Sequence, residues 1–284
     1  MDSNLIRLIN DIKSSNLSVI YSSFRNLFQF INIPLCTFEI IEGKKILFRV
    51  RSHTETDPDF FENINDLSYR QDITSIRNFG RCNEPFQSRF YASDDDAIAF
   101  SEVAEIARTE NKKNTAYHTT SVWKFNQSVL ASLIVEPDNM KLENYYLKEI
   151  TKKCFEFIET NNFTLQKDDL IALLKGIANE FTKPSSMDKD AFLFSAAYTN
   201  YLFDARGTQN KKIEGIVYPT CLNNPTTKNL GLNYVFNTNI IGFDNKIEFV
   251  NAYRSRLDKF DKTYKEVEII KMKSVNKLTG QIDW

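Results

Sequence analysis

Glycine is scarce in this chain, with only 8 among 284 residues, under half the usual ~7%. A fold built from so few flexible joints cannot rely on glycine-rich loops to wrap phosphates. Neither GxGxxG nor GxxxxGK[ST] occurs, which excludes the common dinucleotide and nucleoside-triphosphate cradles. Each glycine then marks a place where the backbone has a special task. Gly80, Gly215 and Gly231 stand in segments that also carry polar side chains of interest.

The rest of the composition is that of a chain with a core: 42% apolar, 13% aromatic and 26% charged. It excludes a disordered or collagen-like polymer. Length allows one large domain or two small ones at ~100–200 residues each. The 36 basic residues nearly cancel the 37 acidic ones, so no global field draws the chain to nucleic acid or an anionic membrane, and neither is an expected partner. No apolar run approaches the ~18–20 residues of a membrane span, and MDSNLIRLINDIK lacks a signal peptide's layout. The cytoplasm is the expected location. Cys36, Cys82, Cys154 and Cys221 lie far apart without a CxxC, and His53 and His118 are the only histidines. Ligand pairs for a metal are therefore missing, free thiols are expected, and a histidine-based hydrolase is disfavoured.

Periodicity predicts two helices within residues 1–32, closed by Pro34, and then a hairpin of CTFEII and KKILFRVR around Glu42-Gly43. Residues 52–79 are irregular. RFYAS reads as a strand, with Ser93 expected to cap a helix reaching about Glu110. Two strands, three helices (near 141–160, 167–182 and 188–205) and strands at KIEGIVYP, LGLNYVFN and KIEFVNAY follow. A basic-acidic amphipathic stretch lies beyond them. The expected architecture is α+β: a mixed sheet with flanking helices over residues 44–284, and a helical N-terminal extension over 1–43.

Four pieces carry candidate chemistry. Strand alternation puts Leu47, Arg49 and Arg51 on one face of LFRVR. Two guanidiniums there are suited either to an anionic ligand or to structural ion pairs. Glu102 shares a helical stripe with Ile98 and Ile106, so its carboxylate is either a poised functional group or half of a buried pair. Gly80-Arg81-Cys82-Asn83-Glu84-Pro85 reads as a tight turn presenting Arg81 and Asn83. A strand ends at Tyr218-Pro219-Thr220, followed by Asn229-Leu230-Gly231.

In this order the pieces resemble the RES domain, named for its Arg, Glu and Ser. LFRVR, GRCNEPFQSRFYAS, DDAIAFSEV, GIVYPT and NLGL match the family's arginine strand, G-R-x-N-x-P turn, glutamate helix, G-x-x-Y-P-S strand end and Asn-Leu. The resemblance covers about residues 46–236. Thr220 stands where the family has serine. It implies a fold similar to the ADP-ribosyltransferase toxins and an intracellular toxin that depletes NAD+ by hydrolysis or phosphorolysis, held in check by an antitoxin. NAD+ is then the substrate, with no further cofactor and no metal. A transferase modifying a protein, or an inactive nucleotide-binding module, are the alternatives. Glu102, Arg49 and Thr220 would be catalytic. Arg49, Arg51, Arg81, Asn83, Tyr91 and Tyr218 would bind the dinucleotide. The N-terminal helices offer a surface for the antitoxin or for self-association.

Overall fold

A computed structural model describes residues 17–31, 33–54, 57–103, 115–135, 145–183, 191–204, 211–220, 231–260 and 263–284. In chain order these form α1 (Leu17–Ile31), β1 (Thr37–Ile40), β2 (Ile46–Ser52), α2 (Ile64–Leu67), β3 (Phe90–Ser93), α3 (Asp96–Val103), β4 (Thr115–Phe125) and β5 (Val129–Leu133). There follow α4 (Tyr145–Thr160), α5 (Lys167–Thr182), α6 (Leu193–Asp204), β6 (Gly215–Pro219), β7 (Leu232–Phe236), β8 (Ile247–Phe260) and β9 (Thr263–Lys271). The fold is mixed α+β, as its sequence pattern predicts. The first expected helix, Ile106, Cys221 and Asn229-Leu230 lie outside the described residues.

Contacts group the chain into two units, each drawn from three stretches: Met1–Glu39 with Ile73–Gln87 and Leu130–Leu230, and Ile40–Asp72 with Ser88–Val129 and Gly231–Trp284. This grouping differs from a division at residue 43. In the first unit α1 packs on α6. Phe24 and Phe28 meet the Phe194 ring edge-on at 4.8 and 5.2 Å, and Phe28 meets Tyr198 at 5.2 Å. Edge-to-face pairs of this kind add ~0.5–1.5 kcal/mol beyond their buried area. From Leu193 to Phe203 α6 is buried at nearly every position, which is why no amphipathic period marks it. β5 and β6 run parallel, with Ala131 opposite Gly215.

The second unit is an antiparallel sheet in the order β7-β3-β2-β4-β8-β9. Its core holds Leu47, Phe90, Trp123, Phe125, Phe236 and Phe249, each almost wholly buried. The Phe90 and Trp123 rings meet edge-on at 4.9 Å. β2 and β4 pair without interruption from Ile46–Lys124 to Ser52–His118, whereas β2 and β3 pair only at Phe48–Ser93.

Three expectations need correction. The hairpin of residues 36–51 does not form, because β1 belongs beside β5 while β2 pairs with β3 and β4. The N-cap of α3 is Asp95, whose Oδ1 accepts from the Ile98 amide at 3.0 Å. The buried Ser93 hydroxyl instead donates to the Leu232 carbonyl at 2.9 Å, tying β3 to β7. Finally, Cys36 and Cys154 are joined by a disulfide and are not free thiols, whereas Cys82 is buried elsewhere in the same unit. Cα atoms 5.8 Å apart bring the two sulfurs within bonding reach, and a sequence separation of 118 residues hides that proximity.

Candidate functional site

Of the eight residues singled out by sequence, Arg49, Arg51, Tyr91 and Glu102 belong to the second unit and Arg81, Asn83, Tyr218 and Thr220 to the first.

In the second unit the two strand arginines have different surroundings. Arg51 is committed: its guanidinium pairs with Asp57 at 3.1 Å, donates to the Asp66 carbonyl at 2.7 Å and lies 4.1 Å from the Phe61 ring centre. That is the structural ion pair the sequence left open. Arg49 donates from Nε to the Ser68 carbonyl and from Nη1 to the Tyr91 carbonyl at 3.0 Å. It meets no carboxylate among the described residues. Burial pushes its pKa down to about 10, and the positive charge of Arg51 adds to the effect. A desolvated guanidinium bonded only to neutral carbonyls is the condition under which an anion is bound strongly.

Glu102 projects from α3, which packs on β2 and β3. Its Oε1 accepts from Nδ2 of the buried Asn233 at 2.9 Å. A neutral amide therefore orients the carboxylate, and no pair with Arg49 or Arg51 forms. The close seating of α3 on β7 depends on Gly231, where an added Cβ would fall 1.6 Å from Ile98 Cδ1. At the end of β3, Asp94 is held by Lys45 at 2.9 Å, the Leu232 amide at 3.0 Å and the Tyr234 hydroxyl at 3.3 Å. These bonds fix the start of the helix that carries Glu102.

Register settles which face each group occupies. Phe48 pairs with Ser93 and Ser93 with Asn233, so these three share the face covered by α3, and Tyr91 falls on it by alternation. Arg49 and Arg51 fall on the opposite face, where Arg49 lies 5.7 Å from the Phe90 ring centre. Arg49 and Glu102 are thus presented from opposite faces of the sheet. The faces meet where the β2–β3 ladder stops and the Tyr91 carbonyl takes Arg49 instead of a strand amide.

In the first unit, Arg81 closes the C-terminal end of α5. It donates to the carbonyls of Phe181, of Glu180 at 3.4 Å and of Lys183 at 2.7 Å, with its guanidinium 4.7 Å from the Phe192 ring centre. A cation there also complements the helix dipole. Asn83 completes the predicted turn: the Gly80 amide donates to its carbonyl at 2.9 Å, and Nδ2 donates to the Glu84 carbonyl at 3.1 Å. Gly80 leaves room for that side chain, because a Cβ there would fall 2.3 Å from Asn83 Oδ1 and displace it. Tyr218 is buried with its ring 5.3 Å from Phe181, and Thr220 is buried at the end of β6.

Sequence reasoning missed Asn233. The signal was a lone amide in the apolar strand LNYVF, two residues after Gly231. Among the described residues no three His, Cys, Asp or Glu side chains gather as metal ligands, and no helix is long and apolar enough to cross a membrane. Comparison with protein-family models, with curated proteins and with solved structures finds no match for this chain.

Proposed function

We propose that this chain binds NAD+ and breaks its nicotinamide–ribose bond. The observation that carries the reading is Arg49, a desolvated guanidinium that meets carbonyls but, among the described residues, no carboxylate. It is suited to the pyrophosphate. Support also comes from the ordered resemblance to the RES domain, and with it an ADP-ribosyltransferase-like arrangement.

In this reading the dinucleotide lies across the opening where β2 and β3 part, with its pyrophosphate toward Arg49 and its nicotinamide ribose toward Glu102. The C1′–N bond breaks and its electron pair goes to the pyridinium nitrogen, so the leaving group departs neutral without a general acid. The Glu102 carboxylate, oriented by Asn233, stabilises the oxocarbenium-like ribose while an oxygen of water or phosphate forms the new bond to C1′. Tyr91 walls the nicotinamide. Thr220, Tyr218, Arg81 and Asn83 enter on the resemblance alone. Depletion of cytoplasmic NAD+ would arrest growth until a cognate antitoxin binds.

Incubation of the purified chain with NAD+, with and without phosphate, followed by chromatography, tests the proposal. Release of nicotinamide with ADP-ribose or its 1-phosphate is expected. Glu102→Gln, which keeps the volume, should slow release by at least ~100-fold. Intact NAD+ after prolonged incubation overturns the reading, and so does an unimpaired glutamine variant. ADP-ribose found on a protein identifies the transferase alternative.

A further inference from the structure

The face of the second unit that carries Arg49 and Arg51 also holds two arginines contributed by β8, Arg254 and Arg256. The register runs from Arg51 on β2 to Thr119 on β4 to Arg254 on β8, so Arg254 lies two strands from Arg51, about 10 Å across the sheet. Arg254 is only 8% exposed. Its guanidinium lies between two rings, 4.0 Å from the centre of Tyr117 and 4.7 Å from that of Phe60. Phe60 is backed in turn by Trp284 at 5.2 Å, whose indole Nε1 donates to the Phe61 carbonyl at 2.9 Å. The indole thus buttresses the Phe60 side of the clamp.

A guanidinium in such a setting ordinarily has an acid bonded to it, and among the described residues this one has none. Nε is fully enclosed and meets no acceptor, and no carboxylate or carbonyl receives the terminal nitrogens among the described residues. The bonded carboxylates on this face are spent: Asp57 gives one oxygen to Arg51 while the other accepts from the Thr54 amide and hydroxyl at 2.8 Å each, and Asp258 and Glu268 pair with Arg256 at 3.3 and 3.6 Å. His53 supplies no negative charge. Its Nδ1 faces the Pro58 carbonyl at 3.0 Å and so carries the hydrogen, and Nε2 accepts from the Thr119 hydroxyl at 2.8 Å. Each of these three carboxylates thus has another arginine as its partner, while Arg254 stands in a wall of aromatic rings that keeps water from Nε.

We propose that Arg254, clamped between Phe60 and Tyr117, is a binding site for a phosphoryl group, carried by a phosphate monoester or by inorganic phosphate. Aromatic stacking fixes the guanidinium plane before the ligand arrives, so little rotamer freedom is lost on binding. The planar fork bonds two oxygens of a tetrahedral anion at once. The uncompensated charge of Arg254 favours a phosphate dianion over a carboxylate. The site is independent of NAD+ cleavage, and its test makes no use of turnover.

Calorimetric titration of the full chain with inorganic phosphate, with glycerol phosphate and with acetate, all at one ionic strength, tests the proposal. Binding of at least one phosphate species, and at least tenfold weaker binding of acetate, is expected. Tighter glycerol phosphate assigns the site to a phosphorylated ligand, and tighter inorganic phosphate assigns it to the free ion. Arg254→Lys keeps the charge and an aliphatic stem to cover the rings, yet loses the fork, and should weaken phosphate at least tenfold. Phe60→Leu loosens the clamp and should weaken it severalfold. The proposal is overturned if the unmodified chain gives no heat with either phosphate species up to tens of millimolar. It is equally overturned if acetate matches phosphate, or if the lysine variant, folded by circular dichroism, binds as well as the parent.

Discussion

Gly231→Ala is the substitution from which most can be learned about how Glu102 is positioned. The new methyl would lie 1.6 Å from Ile98 Cδ1 and 3.0 Å from Cγ1. Ile98 must therefore rotate or α3 must lift from β7. Overpacking of this kind costs ~1–3 kcal/mol. Alanine recovers ~0.4–1 kcal/mol by restricting the unfolded chain, which leaves a net loss of about 1.3 kcal/mol at the middle of both ranges. Because Asn233 stands two residues further along the chain, in β7, lifting α3 also stretches the 2.9 Å bond from its amide to Glu102. Ile98→Val removes Cδ1 and the worst overlap with it. On its own it should cost no more than ~0.5–1.5 kcal/mol, and in the alanine background it should be neutral or stabilising. Urea denaturation of the parent, both single variants and the double variant gives the coupling, expected at ~1 kcal/mol or more. An alanine variant within ~0.5 kcal/mol of the parent, or additive effects, would refute the argument that Gly231 sets the seating of α3.

Three further outcomes are expected. Burial holds the His118 pKa down, to about 4, below its unfolded value of ~6.5, so the stability His118 contributes is present above pH 6.5 and is lost as pH falls through 4. That loss amounts to about 3 kcal/mol, and comparing pH–stability curves with His118→Gln, which should lack this part of the slope, checks it. Arg81→Lys should lower stability by ~1–2 kcal/mol through poorer capping of α5, measured by denaturant titration; an unchanged midpoint contradicts the capping role. Cys154→Ser should destabilise the chain under oxidising conditions by up to ~5 kcal/mol and have little effect under reducing ones, with peptide mapping of the Cys36–Cys154 link as the direct check.

Local signals were legible where neighbours in sequence decide the structure. The alternation that separates Leu47, Arg49 and Arg51 from Phe48 and Val50 is observed, as are the helix at 167–182 and the turn closed by Gly80 and Asn83. What sequence could not supply was the partner of each strand. A two-residue Glu42-Gly43 link suggests a hairpin on local grounds, yet β1 lies beside β5, a strand buried along its whole length, while β2 pairs with β3 and β4. The opposite facing of Arg49 and Glu102 follows from the Phe48–Ser93–Asn233 register, a long-range property. Arg254 gave no signal at all. Its unusual setting comes from Phe60 and Tyr117, 194 and 137 positions away in the chain.

The pairing of β4 with β8 has a consequence for the order of events during synthesis. Phe125 meets Ile247 and Thr115 meets Asp258, so β4 leaves the ribosome long before its partner exists. At ~5–20 residues per second, the ~120 intervening residues take about 6–25 s to make. Throughout that interval one edge of β4 is an unpaired row of amides and carbonyls beside Trp123 and Phe125, a template for pairing with any neighbouring nascent chain. β2 can cover the other edge at once, because it has already been made. Translation paced faster through residues 126–246, or a chaperone engaged on this edge, should then raise the yield of folded chain, and any fragment ending before residue 247 should aggregate however well its own segments are formed.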